Sequence, residues 1–222
     1  MGTDVIFVSP GNAGVIYQDL SKDFSAIEPP TWALLLAESV RAVGFVPEIL
    51  DVNAEQLSTE AAVERIKKSS ARLICFVVYG QNPNSGTVNM GGVINLAKGC
   101  KSAGISRPIA AVGSHLSALP REGLKEERVI DIVFCNEGVY ALRNLLAADL
   151  RDPESWLEIK GIGFRLDEQI HLTPPERVVA QQDMDTDFPG SAGDLLPYRS
   201  KPLDLYRSHF WHAGYDHAKR TP

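Results

Sequence analysis

Four short segments gather the residues best suited to contacting a ligand. Ser9-Pro10-Gly11-Asn12, Tyr79-Gly80-Gln81-Asn82, Gly113-Ser114-His115 and Asn136-Glu137-Gly138 each follow an apolar run. Their hydroxyls, amides and main-chain groups can hydrogen-bond a large, mostly neutral ligand. Gly80 and Gly113 remove a Cβ where such a ligand would approach the backbone closely. A single glycine after a strand is most often turn chemistry, but four such loops together point to a pocket. Common phosphate chemistries fail here. Gly11 and Gly14 do not complete G-x-G-x-x-G, and no G-x-x-x-x-G-K-[ST] occurs. A phosphotransfer receiver would need an acidic pair after its first strand and an Asp after its third, where Ser9-Pro10 and Tyr79-Gly80 stand. His115 has no His, Cys or Asp nearby at ligand spacing. It suits hydrogen bonding or stacking in its loop as well as helix capping. Glu137 suits a helix cap as well as a ligand hydroxyl.

The elements that carry these segments alternate along the first 150 residues. Asp4–Pro10, Glu48–Asp51, Leu73–Tyr79, Pro108–Gly113 and Asp131–Cys135 are short apolar runs bounded by Gly, Pro or polar residues, the pattern of strands. Leu73–Tyr79 is apolar on both faces, as a strand covered on each side must be. Between the strands, Thr31–Val43, Thr59–Ser69, residues 90–103 and Val139–Leu150 have helical spacing. Leu116–Pro120 suits a shorter helix. Strands that alternate with helices predict a parallel sheet with right-handed crossovers. Five strands fit the flavodoxin-like, Rossmann-like order 2-1-3-4-5, with helices on both faces and ligands at the carboxyl ends of the strands. All four segments lie at those ends.

Composition narrows the partners. The chain has 222 residues, 44% hydrophobic and 23% charged, with Lys+Arg 22 against Asp+Glu 28 for a net charge of −6. That balance excludes a disordered chain and does not favour a nucleic-acid partner. No apolar run reaches the ~20 residues of a membrane helix, and MGTDVIFVSP lacks the basic start of a signal peptide. The expectation is therefore a cytoplasmic protein. Cys75, Cys100 and Cys135 are widely spaced, which predicts neither disulfides nor a zinc site. The two within predicted strands, Cys75 and Cys135, suit buried small hydrophobes. Seven of the fourteen prolines fall after residue 150, so residues 1–150 are expected to form one domain and 151–222 a different kind of structure.

The ordered blocks DVIFVSPGN, EPPTWALLLAESVRAVGFVPEILD, AAVGSHLSALPREGL and DIVFCNEGVYALRNLL resemble the N-terminal cobalamin (B12)-binding domain of B12-dependent radical SAM enzymes. In that family the later blocks carry G-G-x-H-x-x-x-x-P and G-E-G-E loops. Here Ser114 replaces the second Gly of the first. Asn136 and Val139 replace the first Gly and last Glu of the second. The likeness continues through IKGIGFRLDEQIHLTPPERV (159–178), similar to the family's β-hairpin, and DMDTDFPGSAGDLLPY (183–198), similar to its linker. LYRSHFWHAGYDHAKRTP resembles the segment preceding the radical SAM barrel in one subgroup.

The resemblance implies a cobalamin-binding module, most simply of a methyltransferase, with its cofactor held by the four segments above. The D-x-H-x-x-G motif of methionine synthase and the mutases is missing, because no His precedes residue 115. Base-off cobalamin without a protein histidine ligand is therefore implied. These residues also contain no C-x-x-x-C-x-x-C, so a [4Fe–4S] cluster and S-adenosylmethionine would belong to a radical SAM domain, in cis or in trans. The chain would not turn over alone, and residues 151–222 would be a hairpin and a linker toward that domain. His209 and His212 are spaced i, i+3 near His217, but no acidic or cysteine set accompanies them and no metal site is assigned. A stand-alone B12 carrier or sensor, or a flavodoxin-like domain binding FMN or another cofactor, is the alternative.

Overall fold

The computed structural model describes residues 2–11, 27–79, 83–197 and Tyr206, with backbone alone for 83–88. Five strands, β1 (Val5–Ser9), β2 (Pro47–Asp51), β3 (Leu73–Val77), β4 (Ile109–Val112) and β5 (Ile132–Phe134), pair in parallel in the order β2-β1-β3-β4-β5. Every predicted strand is present and the order is the flavodoxin-like one. The helices are α1 (Thr31–Ala42), α2 (Thr59–Lys68), α3 (Pro83–Ser102), α4 (Ser114–Ala118), α5 (Pro120–Glu126) and α6 (Val139–Ala147). Local chemistry sets their ends. Ser58 Oγ accepts from the Ala61 N–H to cap α2, and left-handed Gly44 and Gly104 follow α1 and α3.

The strands alternate their side chains between two cores. Val5, Phe7, Leu73, Cys75, Ala110, Val112, Ile132 and Phe134 pack with α1 and α6 on one face. Ile6, Val8, Ile74, Phe76, Ile109, Ala111 and Val133 pack with α2, α3 and α5 on the other. Strands covered on both faces must be apolar on both, which is why β3 is buried along its whole length.

The hairpin predicted at 159–178 is not an appendage. β6 (Ile162–Leu166) pairs antiparallel with β5, and β7 (Gln169–Leu172) with β6, extending the parallel sheet to seven strands. Asp167 and Glu168 both take positive φ in its two-residue turn. A 3₁₀ turn at Pro153–Glu158 feeds the hairpin, and its Trp156 packs edge-on against Phe164 at 5.5 Å. Two boundaries differ from expectation. α3 begins at Pro83, because Gly91-Gly92 are tolerated inside the helix. The segment after His115 forms two helices, since Pro120 is suited to the first turn of a new one. Beyond β7 the described residues make a short helix, α7 (Met184–Asp187), and 3₁₀ turns at Gln181–Asp183 and Gly193–Leu195. Among the described residues no helix is long and apolar enough to cross a membrane.

Candidate functional site

The carboxyl ends of the parallel strands bring the predicted segments to one edge. Ser9 ends β1 in register with Asp51, and its carbonyl accepts from the Val52 N–H at 3.0 Å. Pro10 is buried, and Gly11 lies so close to Asn53 that a Cβ would sit 3.1 Å from its Cα. Tyr79 follows β3. Asn12, Gly80, Gln81 and Asn82 lie outside the described residues.

Gly113, Ser114 and His115 open α4, with Ser114 and His115 half-buried. A Cβ on Gly113 would stand 2.5 Å from the Val78 carbonyl oxygen, so the missing side chain makes room for β3. The main-chain approach predicted for a ligand is taken here by a neighbouring strand. Gly138 precedes α6 at φ +84°, the left-handed conformation that favours glycine.

A polar and aromatic cluster joins three of these ends. Trp32, on the first turn of α1, packs against Tyr79 at 5.1 Å and donates its Nε1–H to the Glu137 carbonyl at 3.2 Å. The Ser117 hydroxyl lies at donor distance from the carbonyls of Phe134 (3.2 Å) and Asn136 (3.3 Å), close enough to the Tyr79 hydroxyl to oppose the rise in its pKa. Burial raises the Tyr79 hydroxyl above its ordinary pKa, and the Glu137 carboxylate adds to the rise, so the phenol stays protonated.

The two polar side chains at the end of β5 turn toward the segment that follows the hairpin. Asn136 Nδ2 donates to the Glu176 carbonyl at 3.0 Å, and its Oδ1 accepts from the Gly138 N–H at 2.9 Å. Glu137 Oε1 accepts from the Val179 N–H at 2.5 Å. Glu137 does not cap α6: its carboxylate meets the Val179 N–H and its carbonyl the Trp32 indole.

Asp51 closes β2 at the same edge and is 2% exposed. Burial pushes its carboxyl up to about 6, against the opposing effect of hydrogen bonds from the Ala54 N–H (3.1 Å) and the Tyr206 hydroxyl (3.0 Å). Trp32, Ser117, Asp51 and Tyr206 were not among the predicted site residues. An acid directly after the apolar Ile49-Leu50 pair at a strand end, and a Trp directly after Pro29-Pro30-Thr31, were the available signals.

The opposite edge has a different chemistry. A cleft of about 840 Å³ at the amino ends of β3, β4 and β5 is lined by Arg72, Lys101, Arg107, Asp131 and Arg165, among others. Arg107 donates to the carbonyls of Ile66 (2.6 Å), Ser69 (2.7 Å) and Ala71 (2.9 Å), and Arg165 to those of Glu127 and Ile130. Elsewhere, burial raises the thiols of Cys75, Cys100 and Cys135, as expected of inert, packed cysteines. Among the described residues no group of three His, Cys, Asp or Glu is placed to hold a metal ion.

Comparison with known proteins concerns the fold as a whole. Residues 19–146, more than half the chain, match the model of the B12 binding domain family. No curated protein matches the chain. Among solved structures, the radical S-adenosylmethionine methyltransferase TsrM from Kitasatospora setae, with cobalamin and a [4Fe–4S] cluster bound, aligns at a TM-score of 0.57 and 17% identity. That alignment covers 82% of this chain and 30% of TsrM. TsrM with tryptophan substrate and a SAM analogue gives the same score and identity over 78% of this chain. The apo, selenomethionine-labelled cobalamin-dependent S-adenosylmethionine radical enzyme OxsB aligns at 0.51 and 13% identity, covering 84% of this chain and 25% of OxsB. At these identities the likeness is one of fold. The chain spans under a third of the length of these neighbours.

Proposed function

The chain belongs to the B12 binding domain family, and we propose that it holds cobalamin base-off along the carboxyl edge of its sheet and presents it to a radical SAM domain for methyl transfer. Residues 1–150 are the cofactor-binding unit in this reading, and 151–222 its hairpin and connector. The observation that carries it is the convergence of Ser9-Pro10-Gly11, Tyr79, Gly113-Ser114-His115 and Asn136-Glu137-Gly138 on one edge of a 2-1-3-4-5 parallel sheet.

The donor set there fits the group. Its hydrogen-bonding side chains are mainly hydroxyls and an amide, which suits the neutral amide arms of a corrin. Cobalamin, when bound, would carry the methyl group and the cobalt chemistry. The protein's part is to bind and orient. Tyr79, kept protonated and fixed by Trp32 and Ser117, offers a rigid hydroxyl, and His115 is the nearest candidate to stack or donate. The loop after β1 reads Pro10-Gly11-Asn12, with no imidazole that could ligate cobalt.

Hydroxocobalamin reconstitution tests this. The expected result is a red protein after desalting whose cob(II)alamin electron paramagnetic resonance spectrum lacks nitrogen superhyperfine splitting. Nitrogen splitting would overturn the base-off, histidine-free reading. Failure to retain any corrinoid would overturn cobalamin binding altogether, and retention of FMN instead would point to the flavodoxin-like alternative.

A further inference from the structure

The chain after β7 doubles back along the domain. From Glu176 and Val179 at the β5 end it reaches Asp187, which accepts from the Tyr140 hydroxyl at 2.5 Å and from Arg143 Nη1 at 2.5 Å. Arg143 also donates to the Ser39 carbonyl, so this one contact ties the segment to both α6 and α1. Phe188 then packs edge-on against Trp32 at 5.7 Å, and the Ala192 N–H donates to the Leu34 carbonyl at 3.3 Å. Asp194 meets Arg41 through two bonds of 3.1 Å. A segment with so little secondary structure is held largely by contacts to the sheet-covering helices and the β5 loop, through both its side chains and its backbone.

The same segment is bonded to the candidate cofactor edge. Asn136 and Glu137 hold Glu176 and Val179, and Trp32 holds both Phe188 and the Glu137 carbonyl. The loop between β5 and α6 therefore takes its shape from the segment as well as from the sheet. We infer that residues 174–194 are a strap that sets the geometry of the cofactor edge, with Glu137 and Asp187 as positioning residues, so that strap docking and cofactor binding strengthen one another. This rests on the cobalamin reading above. If two events share one loop conformation, each must favour the other by the same factor.

The test pairs hydrogen exchange over residues 176–188 with hydroxocobalamin titration of the full chain. In wild type, hydroxocobalamin should slow exchange across the strap. Asp187→Ala removes an acceptor whose bonds go to Tyr140 and Arg143 on α6, not to the loops. It should speed exchange at Val179 and weaken hydroxocobalamin binding about five- to tenfold. Glu137→Ala should do the same, and Glu137→Gln, which keeps a carbonyl acceptor for Val179, should restore both. Faster exchange in both alanine variants with unchanged affinity would overturn the coupling. So would a loss of affinity in Glu137→Ala alone, because that marks Glu137 as a direct ligand contact. Absence of corrinoid binding in wild type is a different failure and overturns the cobalamin reading, while exchange at Val179 still reports on what holds the strap.

Discussion

The two ends of the same sheet are built on opposite electrostatic plans. At the amino ends, charges are matched at close range. Asp4 pairs with Arg72 at 2.8 Å and also accepts from the Val46 N–H. Asp131 pairs with Lys101 at 2.8 Å and accepts from the Ile109 N–H. Arg107 and Arg165 spend their donors on carbonyls at the ends of neighbouring elements. At the carboxyl ends the described cluster is mainly neutral, with one ion pair, Glu55–Arg65 at 3.3 Å, beside it; Asp51, 2% exposed, is held by a hydroxyl and main-chain amides. The difference separates two jobs. The cleft at the amino ends is the space left between groups that lock the fold, whereas the hydroxyls and amides that prevail at the carboxyl edge suit the neutral ligand proposed there.

The largest effect expected from this contrast is the pH dependence of Asp51. Its folded carboxyl titrates at about 6, raised from 3.8 by burial. The protonated acid is thus the form the fold prefers. The stability it contributes is complete below about pH 4 and is lost as pH rises through 6. A shift of this size corresponds to about 3 kcal/mol. Asp51→Asn should be more stable than wild type at pH 7, with a difference that shrinks toward zero near pH 4, as read by urea unfolding across that range. A pH-independent difference would mean that the two edges do not differ as described.

A smaller effect is expected from Arg107→Ala at the other end. Three charge-assisted bonds bind the carboxyl terminus of α2 to the strand edge, where unpaired helix carbonyls need donors. Their loss should destabilise the chain by about 2 kcal/mol in urea unfolding, with hydroxocobalamin affinity unchanged. A drop in affinity comparable to the loss of stability would erase the division between a locking end and a binding end.

Sequence carries the sheet well and the strap poorly, for a physical reason. The strands declare themselves because β1 to β5 are buried on both faces, and the helices because one face of each must be apolar. The carboxyl-edge segments follow from topology once those elements are placed. The strap has no such periodicity. Asp187 is bound by Tyr140 and Arg143, more than forty residues away, and Tyr206 by Asp51, more than one hundred and fifty away. Gly113 shows the same limit at a single position. A glycine after a strand announces that something comes close, but only the fold reveals that it is the Val78 carbonyl. Asn136 and Glu137 were legible as polar residues at the right edge, but not as residues turned toward residues 176 and 179.

The smallest of these effects is the most discriminating, because Trp32 sits where the binding edge and the strap meet. Trp32→Phe keeps an aromatic ring near Tyr79 and Phe188 but deletes the Nε1–H that reaches the Glu137 carbonyl. A lost half-buried hydrogen bond of this kind destabilises by about 1 kcal/mol. If the carboxyl edge serves binding, the change should appear in ligand affinity at least as strongly as in stability, the reverse of the Arg107→Ala pattern. Parallel urea unfolding and hydroxocobalamin titration give the ratio of the two effects directly. A variant that loses stability and keeps its affinity would place Trp32 with the locking groups, and the contrast between the edges would then have to be drawn between side chains rather than between ends of the sheet.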